Sequence, residues 1–230
     1  MLPGFQSRKL SLQEDGNLFM QSNTLGKKDV LDIKVGVLAL QGAFREHIEA
    51  IKKCGAEAVE IKFPEQLNYV DGLIIPGGES TTIDKLLNKY RFKESLDNFF
   101  KMKKPIFGTC AGLILLAKKV NSRNFGLGYI DIVVNRNAYG RQIDSFEELV
   151  ELKTEQNLNG KKFHAVFIRA PKIKDIGANV KSLGVHNGNI VLARQENVLV
   201  CAFHPELTDD LRIHQYFIDM IKESKYDKNI

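Results

Sequence analysis

The hydrophobic pattern of the chain predicts an α/β fold, a doubly wound domain whose mostly parallel sheet is flanked by helices and carries an antiparallel edge. Three observations lead there. Short continuous apolar runs, as in strands buried on both faces, alternate with segments whose apolar residues recur at helical spacing. Two of those runs, Leu73-Ile74-Ile75 and Ile106-Phe107, break into glycine-containing turns that open helices. After about Val120 the pattern shortens to strand-like runs, several of which should pair antiparallel.

Taken in order, Ile33 to Leu40 is a buried strand, and Phe44, Ile48 and Ile51 then mark a helix that Gly55 stops. A strand at about Ala58 to Phe63 follows, then the Leu73 to Ile75 strand. The next helix is capped near Ser80 to Asp84 and expected to run to about Met102. A strand and a helix meet at Cys110. Further strands are expected at Leu127 to Val134, Glu148 to Leu152, Phe163 to Ile168, Val180 to Leu183, Ile190 to Ala193 and Val198 to Phe203. Thr208, Asp209 and Asp210 cap a last helix with Ile213, Phe217 and Met220 as its buried stripe. Ligands of such sheets bind at the carboxyl ends of the strands, where Gly78 and Cys110 both fall.

The 230 residues suit one such domain, expected over residues 32–224 with a short tail at 225–230. Residues 1–31 are polar, with opposed charges and no apolar signal-like core, and are expected to be a disordered extension. Cys54, Cys110 and Cys201 are odd in number and widely spaced, which makes no disulfide framework and favours a reducing, cytoplasmic compartment. The net charge of +5 comes as scattered basic pairs such as Lys52-Lys53 and Lys103-Lys104, so no nucleic-acid stripe is expected. No apolar run reaches the length of about 20 residues that spans a bilayer. His47, His164, His186 and His214 stand apart in sequence and read as structural or solvent-facing, and no metal site is expected.

Three segments carry chemistry. Gly108-Thr109-Cys110-Ala111-Gly112 places a thiol between a strand and a helix, where small neighbours permit a sharp turn and free helix N–H groups favour thiolate. A buried core cysteine is the alternative reading of that segment alone. His204-Pro205-Glu206 supplies a base and an orienting carboxylate, with the proline expected to hold the pair extended so that both side chains lie on one side. Together Cys110, His204 and Glu206 make a candidate triad. Pro76-Gly77-Gly78 ends a strand, and glycine's access to positive φ could aim its amides at one oxyanion; a simple strand-to-helix turn is the alternative.

In that order the segments resemble class I, triad-type glutamine amidotransferases. Leu40-Gln41-Gly42, Gly78-Glu79-Ser80-Thr81-Thr82, the run from Arg136 through Arg141, Gln142 and Asp144 to Phe146, and Phe167-Ile168-Arg169-Ala170-Pro171 are similar, more narrowly, to the glutaminase subunits of pyridoxal 5'-phosphate synthase. The resemblance runs from about Ile33 to about Lys222. It implies hydrolysis of L-glutamine through a Cys110 thioester, with His204 as base, Glu206 as its orienter and the N–H groups of Gly78 and Ala111 as oxyanion hole. It further implies glutamine binding by Gly78, Glu79, Ser80, Arg136, Ile168 and Arg169, and a place for Gln41 near the oxyanion hole and the partner surface. No cofactor is implied. The implied partner is a (β/α)8-barrel synthase subunit that receives the ammonia. Glutaminase subunits of other pathways, a catalytically silent scaffold and a related-fold cysteine peptidase are the competing readings; the Arg136 to Phe146 segment, the intact triad and the late His-Pro-Glu respectively argue against them.

Overall fold

A computed structural model describes residues 32–136, 145–155 and 158–226. The expected extension at 1–31, and Arg141, Gln142 and Asp144, lie outside the described residues. The first half alternates as expected through β1 (Lys34–Leu38), α1 (Phe44–Lys53), β2 (Glu57–Ile61), β3 (Gly72–Ile75), α2 (Ser80–Lys89), α3 (Phe92–Lys101), β4 (Ile106–Thr109) and α4 (Ala111–Leu116). The second half supplies β5 (Ala117–Val120), β6 (Ile130–Asn135), β7 (Ser145–Leu152), β8 (Phe163–Ile168), β9 (Lys172–Ile176), β10 (Lys181–His186), β11 (Asn189–Gln195), β12 (Val198–Cys201) and α5 (Arg212–Tyr226).

A nine-stranded sheet has the order β2-β1-β3-β4-β12-β11-β10-β7-β8. From β2 to β12 neighbours run parallel, and from β12 to β8 they run antiparallel. The antiparallel part is therefore as extensive as the parallel part, and β12 joins them. Right-handed crossovers that leave β1 and β3 in opposite directions place α1 and the α2–α3 pair on opposite faces. α5 lies close on β3, where a side chain at Gly72 would meet Ile221 Cδ1 at 2.4 Å. A separate three-stranded sheet, β5-β6-β9, lies against β11 of the main one, where Asp131 N–H donates to Gln195 Oε1 at 2.8 Å.

The expected helix from Ser80 to Met102 is two helices. Ile83 and Leu87 make the buried stripe of α2, whereas α3 buries Phe92, Leu96 and Phe99. At 100° per residue a straight helix would carry Phe92 about 140° round from Leu87, off the buried face. Arg91, in the left-handed region at φ 56°, breaks the helix and returns Phe92 to the core. β5 and β9 were not expected. Ala117-Lys118-Lys119-Val120 has buried ends and exposed lysines, which reads as the end of a helix, and Lys172-Ile173-Lys174-Asp175-Ile176 is too charged for a buried strand.

α4 is only six residues long and buried on every side. Its close seat depends on glycine: a Cβ at Gly112 would lie 2.0 Å from the Ile75 carbonyl oxygen, a backbone atom of β3 that cannot move aside without shifting the sheet. Gly112→Ala should therefore cost about 1–3 kcal/mol, as overpacking does. The measurement is a thermal melt, in which a drop of roughly 3–10 °C is expected.

Candidate active site

Adjacent parallel strands bring the three chemical segments to one place. Ile75 of β3 stands opposite Gly108 of β4, and Thr109 of β4 opposite Cys201 of β12. The Gly77-Gly78 turn, Cys110 and His204 therefore leave neighbouring strands at their carboxyl ends, as the fold class predicts. Two hydrogen bonds hold the exits: Cys110 N–H donates to the Cys201 carbonyl at 2.9 Å, and His204 N–H to the Val166 carbonyl of β8 at 2.8 Å.

Cys110 turns the chain from β4 into α4 at φ 47° and ψ −98°, a conformation few residues with a Cβ adopt. The small neighbours make room: a Cβ at Gly108 would meet the Gly112 backbone at 2.7 Å. The sharp turn was legible in the sequence; the positive φ of the cysteine itself was not. Since α4 has six residues, its individual N–H groups rather than a long macrodipole act on the sulfur. Sγ lies 3.7 Å from the Ile168 carbonyl oxygen.

His204 Nδ1 and Glu206 Oε1 are 2.7 Å apart, both side chains buried. They meet differently from the extended arrangement expected. His204, preceding proline, stays non-helical at φ −107° and ψ 86°, but Pro205–Leu207 forms a 3₁₀ turn that swings Glu206 back onto the imidazole. Proline restrains the residue before it while its own φ suits a first helical position, and the second effect governs Glu206. Burial disfavours a charged His204, yet the Cys110 sulfur and the Glu206 carboxylate outweigh it and lift its pKa to about 10. Burial likewise opposes charge on Glu206, but His47 and His204 hold its pKa below the usual carboxylate value.

The glycines of the turn serve close approach, not positive φ, since neither Gly77 nor Gly78 is in the left-handed region. A Cβ on Gly77 would stand 2.3 Å from His204 Cε1, and one on Gly78 would stand 2.5 Å from Gln41 Oε1. The positive φ belongs to Gly42, at 101°. Ala43 N–H donates to the Gly77 carbonyl at 3.0 Å, and Glu79 N–H donates to Gln41 Oε1 at 2.8 Å. The loop after β1 thus holds the turn on both sides of Gly78.

The cleft has a volume of about 250 Å³ and is lined by Gly78, Glu79, Ser80, Cys110, Arg136, Ile168, Arg169 and His204, with Ile114 as an apolar wall that the sequence did not single out. That is small beside typical ligand pockets of roughly 300–1,000 Å³ and suits an amino-acid-sized molecule. Glu206 stands behind His204, Ala111 follows Cys110 in the chain, and Gln41 adjoins the cleft through its side-chain bond to Glu79 N–H; none of the three lines it. Arg136 stacks over Phe125 at 4.0 Å, and its buried Nε and Nη2 have no hydrogen-bond partner among the described residues. Arg169, at φ 43°, stands 4.0 Å from the Glu79 carboxylate at the exposed rim. A larger depression of about 410 Å³ lies at the opposite strand ends, by Pro105 and Asn197, and is lined by neither cysteine nor histidine.

Two residues that the sequence reading set aside stand directly behind the site. His47 of α1 and His214 of α5 are fully buried, His47 Nδ1 lying 2.9 Å from His214 Nε2 and His47 Nε2 3.1 Å from Thr109 Oγ1. His47 Nε2 is also 3.3 Å from Glu206 Oε2, which has no aligned donor. The available signal was helical position: His47 falls on the stripe of Phe44, Ile48 and Ile51, and His214 beside Ile213 and Phe217. Burial lowers the pKa of both, against the pull of Glu206, and His214 falls to about 3.

The model of the SNO glutamine amidotransferase family matches residues 37–223. The chain is 51% identical over 197 residues to the pyridoxal 5'-phosphate synthase subunit PdxT of Bacillus cytotoxicus, covering 85% of this chain and 98% of that one. Against PdxT of Thermotoga petrophila it is 50% identical over 191 residues, covering 83% and 100%. A crystal structure of a glutamine amidotransferase superposes with a TM-score of 0.76 at 45% identity, over 82% of this chain and 98% of that chain. PurLQS from Thermotoga maritima shares the fold, with a TM-score of 0.61 at 15% identity over 87% and 100%.

The buried histidines carry a pH signature. An unfolded histidine takes a proton near pH 6.5, whereas folded His214 resists one down to about pH 3, so its contribution to stability is lost as pH falls from 6.5 toward 3. His204 has the opposite sign: its contribution is complete below 6.5 and lost as pH rises through about 10. Each differential proton makes a slope of about 1.4 kcal/mol per pH unit. Urea unfolding of His214→Gln between pH 4.5 and 7.5 should give a flatter acid limb than the parent.

Proposed function

Because the chain belongs to the SNO glutamine amidotransferase family, we infer that the Cys110 cleft is where it hydrolyses the side-chain amide of L-glutamine. The protein is the glutaminase subunit of pyridoxal 5'-phosphate synthase, and the ammonia it releases goes to the synthase subunit, for which the family resemblance implies a (β/α)8 barrel. One observation carries the assignment of the site: a strained cysteine and a histidine, the latter 2.7 Å from a buried carboxylate, share one small cleft at adjacent strand ends.

In the proposed reaction His204 takes the Cys110 proton, and the thiolate attacks the amide carbon. The N–H groups of Gly78 and Ala111 receive the negative charge on oxygen. The tetrahedral adduct collapses as the His204 imidazolium protonates the leaving nitrogen, giving ammonia and a thioester. Water, deprotonated by His204, then attacks the thioester and releases glutamate and the thiol. Glu206 fixes the ring and steadies its charge throughout.

Substrate orientation is assigned to the rim. The two nitrogens of half-buried Arg136 that have no partner among the described residues suit a carboxylate, since a bidentate acceptor would satisfy them. Glu79 suits the α-ammonium, with Ser80, Ile168 and Arg169 completing the wall. Gln41 couples the site to its partner: its side chain holds Glu79 N–H while Ala43 holds the Gly77 carbonyl. Docking of the synthase on that loop would turn the Gly77-Gly78 peptide and aim the Gly78 N–H at the oxyanion. Residues 32–224 are proposed as the catalytic domain and the cytoplasm as its location; among the described residues no helix is long and apolar enough to cross a membrane.

Cys110→Ala should abolish ammonia release from glutamine while leaving the melting temperature near that of the parent, and substantial residual activity in a folded variant would refute the triad. His204→Ala should be slower than Glu206→Gln, because the base carries the proton and the carboxylate only steers it.

The partner step is tested by comparing kcat with and without the synthase subunit, in the parent and in Gly78→Ala. The parent should accelerate on complex formation, and the variant, whose Cβ would crowd Gln41 Oε1 at 2.5 Å, should not.

A further inference from the structure

Triad chemistry accounts for one oxygen of Glu206, the Oε1 that faces His204. The other, Oε2, is buried and has no aligned hydrogen-bond donor among the described residues, so that oxygen lacks the bond that would fix it. His47 offers it a side-chain nitrogen at 3.3 Å. We propose that His47, locked in one tautomer by His214, is a positioning residue that fixes the Glu206 carboxylate and through it the His204 ring. The inference rests on the triad reading above and deepens it.

Hydrogen-bond accounting selects the tautomer. His214 Nδ1 is buried and has no partner, so a proton there would be an unsatisfied donor. The His214 proton therefore sits on Nε2 and is donated to His47 Nδ1, 2.9 Å away. That bond leaves Nδ1 of His47 without a proton and puts its proton on Nε2, facing Thr109 Oγ1 at 3.1 Å and Glu206 Oε2 at 3.3 Å. The opposite assignment fails at both ends. It buries a bare N–H on His214 and turns a lone pair of His47 toward a carboxylate.

The charged and titratable groups that act on His47 support a neutral ring. Glu206 from the 3₁₀ turn and Glu46 on its own helix favour a proton, His204 opposes one, and burial opposes it most strongly. Phe107 meets both His47 and His214 edge-on with ring centres 6.2 Å apart, so the pair is enclosed by apolar surface that restricts rotation. The N–H that results is held in place beside Glu206 Oε2, while Oε1 faces His204.

The first measurement is the tautomer itself, from long-range ¹H–¹⁵N correlation spectra of the full chain labelled at histidine. His47 and His214 should both carry the proton on Nε2 at neutral pH; a proton on Nδ1 of His47 overturns the proposal. The second is kinetic, in the complex with the synthase subunit. His47→Leu should lower kcat for glutamine about tenfold with KM within about twofold, the pattern of an interaction that matters in the transition state. His47→Gln, whose amide N–H reaches the Nε2 position, should recover most of that loss. Glu206→Gln combined with His47→Leu should be no slower than Glu206→Gln alone, since one side chain acts through the other. Retention of full kcat by His47→Leu, or a rise in KM equal to the loss in kcat with no recovery in His47→Gln, overturns the positioning role. Cys110→Ala run alongside separates the two readings: inactive Cys110→Ala beside active His47→Leu defeats the positioning role alone, whereas active Cys110→Ala defeats the triad and the positioning role together.

Discussion

Parallel pairing of β4 with β12 is the constraint on which the site depends. The strands come from distant parts of the sequence, and one register, Thr109 opposite Cys201, sets the thiol and the imidazole side by side. A slip by one residue would reverse every side chain of β12 and turn its apolar residues off the faces they fill. The catalytic geometry is therefore protected by the same burial that holds the core, since Val198, Leu199, Val200 and Cys201 are all fully buried. Chemistry and stability share a register.

Within that frame, backbone volume decides what can approach what. Gly77 passes under the His204 ring, Gly108 and Gly112 let α4 sit against its own strand, and Gly42 brings the loop after β1 onto the Gly77 carbonyl. Cys110 carries a side chain through a conformation that glycine would adopt more readily. A strained non-glycine backbone persists only where its surroundings over-determine it. Here the Cys110 N–H bonded to β12 and the buried α4 do so.

What was legible in the sequence followed from periodicity and from short-range steric rules. The apolar runs gave the parallel half of the sheet, and the flanking small residues marked the cysteine turn. Helix continuity from Ser80 to Met102 misled because the apolar residues persist while their phase shifts, and only a residue in the left-handed region, Arg91, reconciles the two. The route by which Glu206 reaches His204 was misjudged because proline acts in opposite senses on the residues on either side of it. His47 and His214 were beyond sequence reading for a different reason. Their significance lies in one contact between α1 and α5, and no local pattern encodes which two buried faces will touch.

The site also divides by rigidity. Cys110, His204, Glu206 and the histidines behind them are buried, bonded to neighbouring strands or to each other, and set in an apolar surround. Glu79 and Arg169 at the rim are exposed and face each other at 4.0 Å, where solvent screening makes the pair weak and easily parted. Such a division suits the proposed activation of the amidase by its partner. The proton-transfer chain needs fixed distances and tolerates no movement, so control falls on the elements that can move cheaply: a side-chain amide at Gln41, a glycine peptide and an exposed ion pair. They come from the loop that follows β1, the turn that follows β3 and, for Arg169, the residue that follows β8. On the proposed reading, a partner seated there would complete the oxyanion site while the triad keeps its bonds to neighbouring strands.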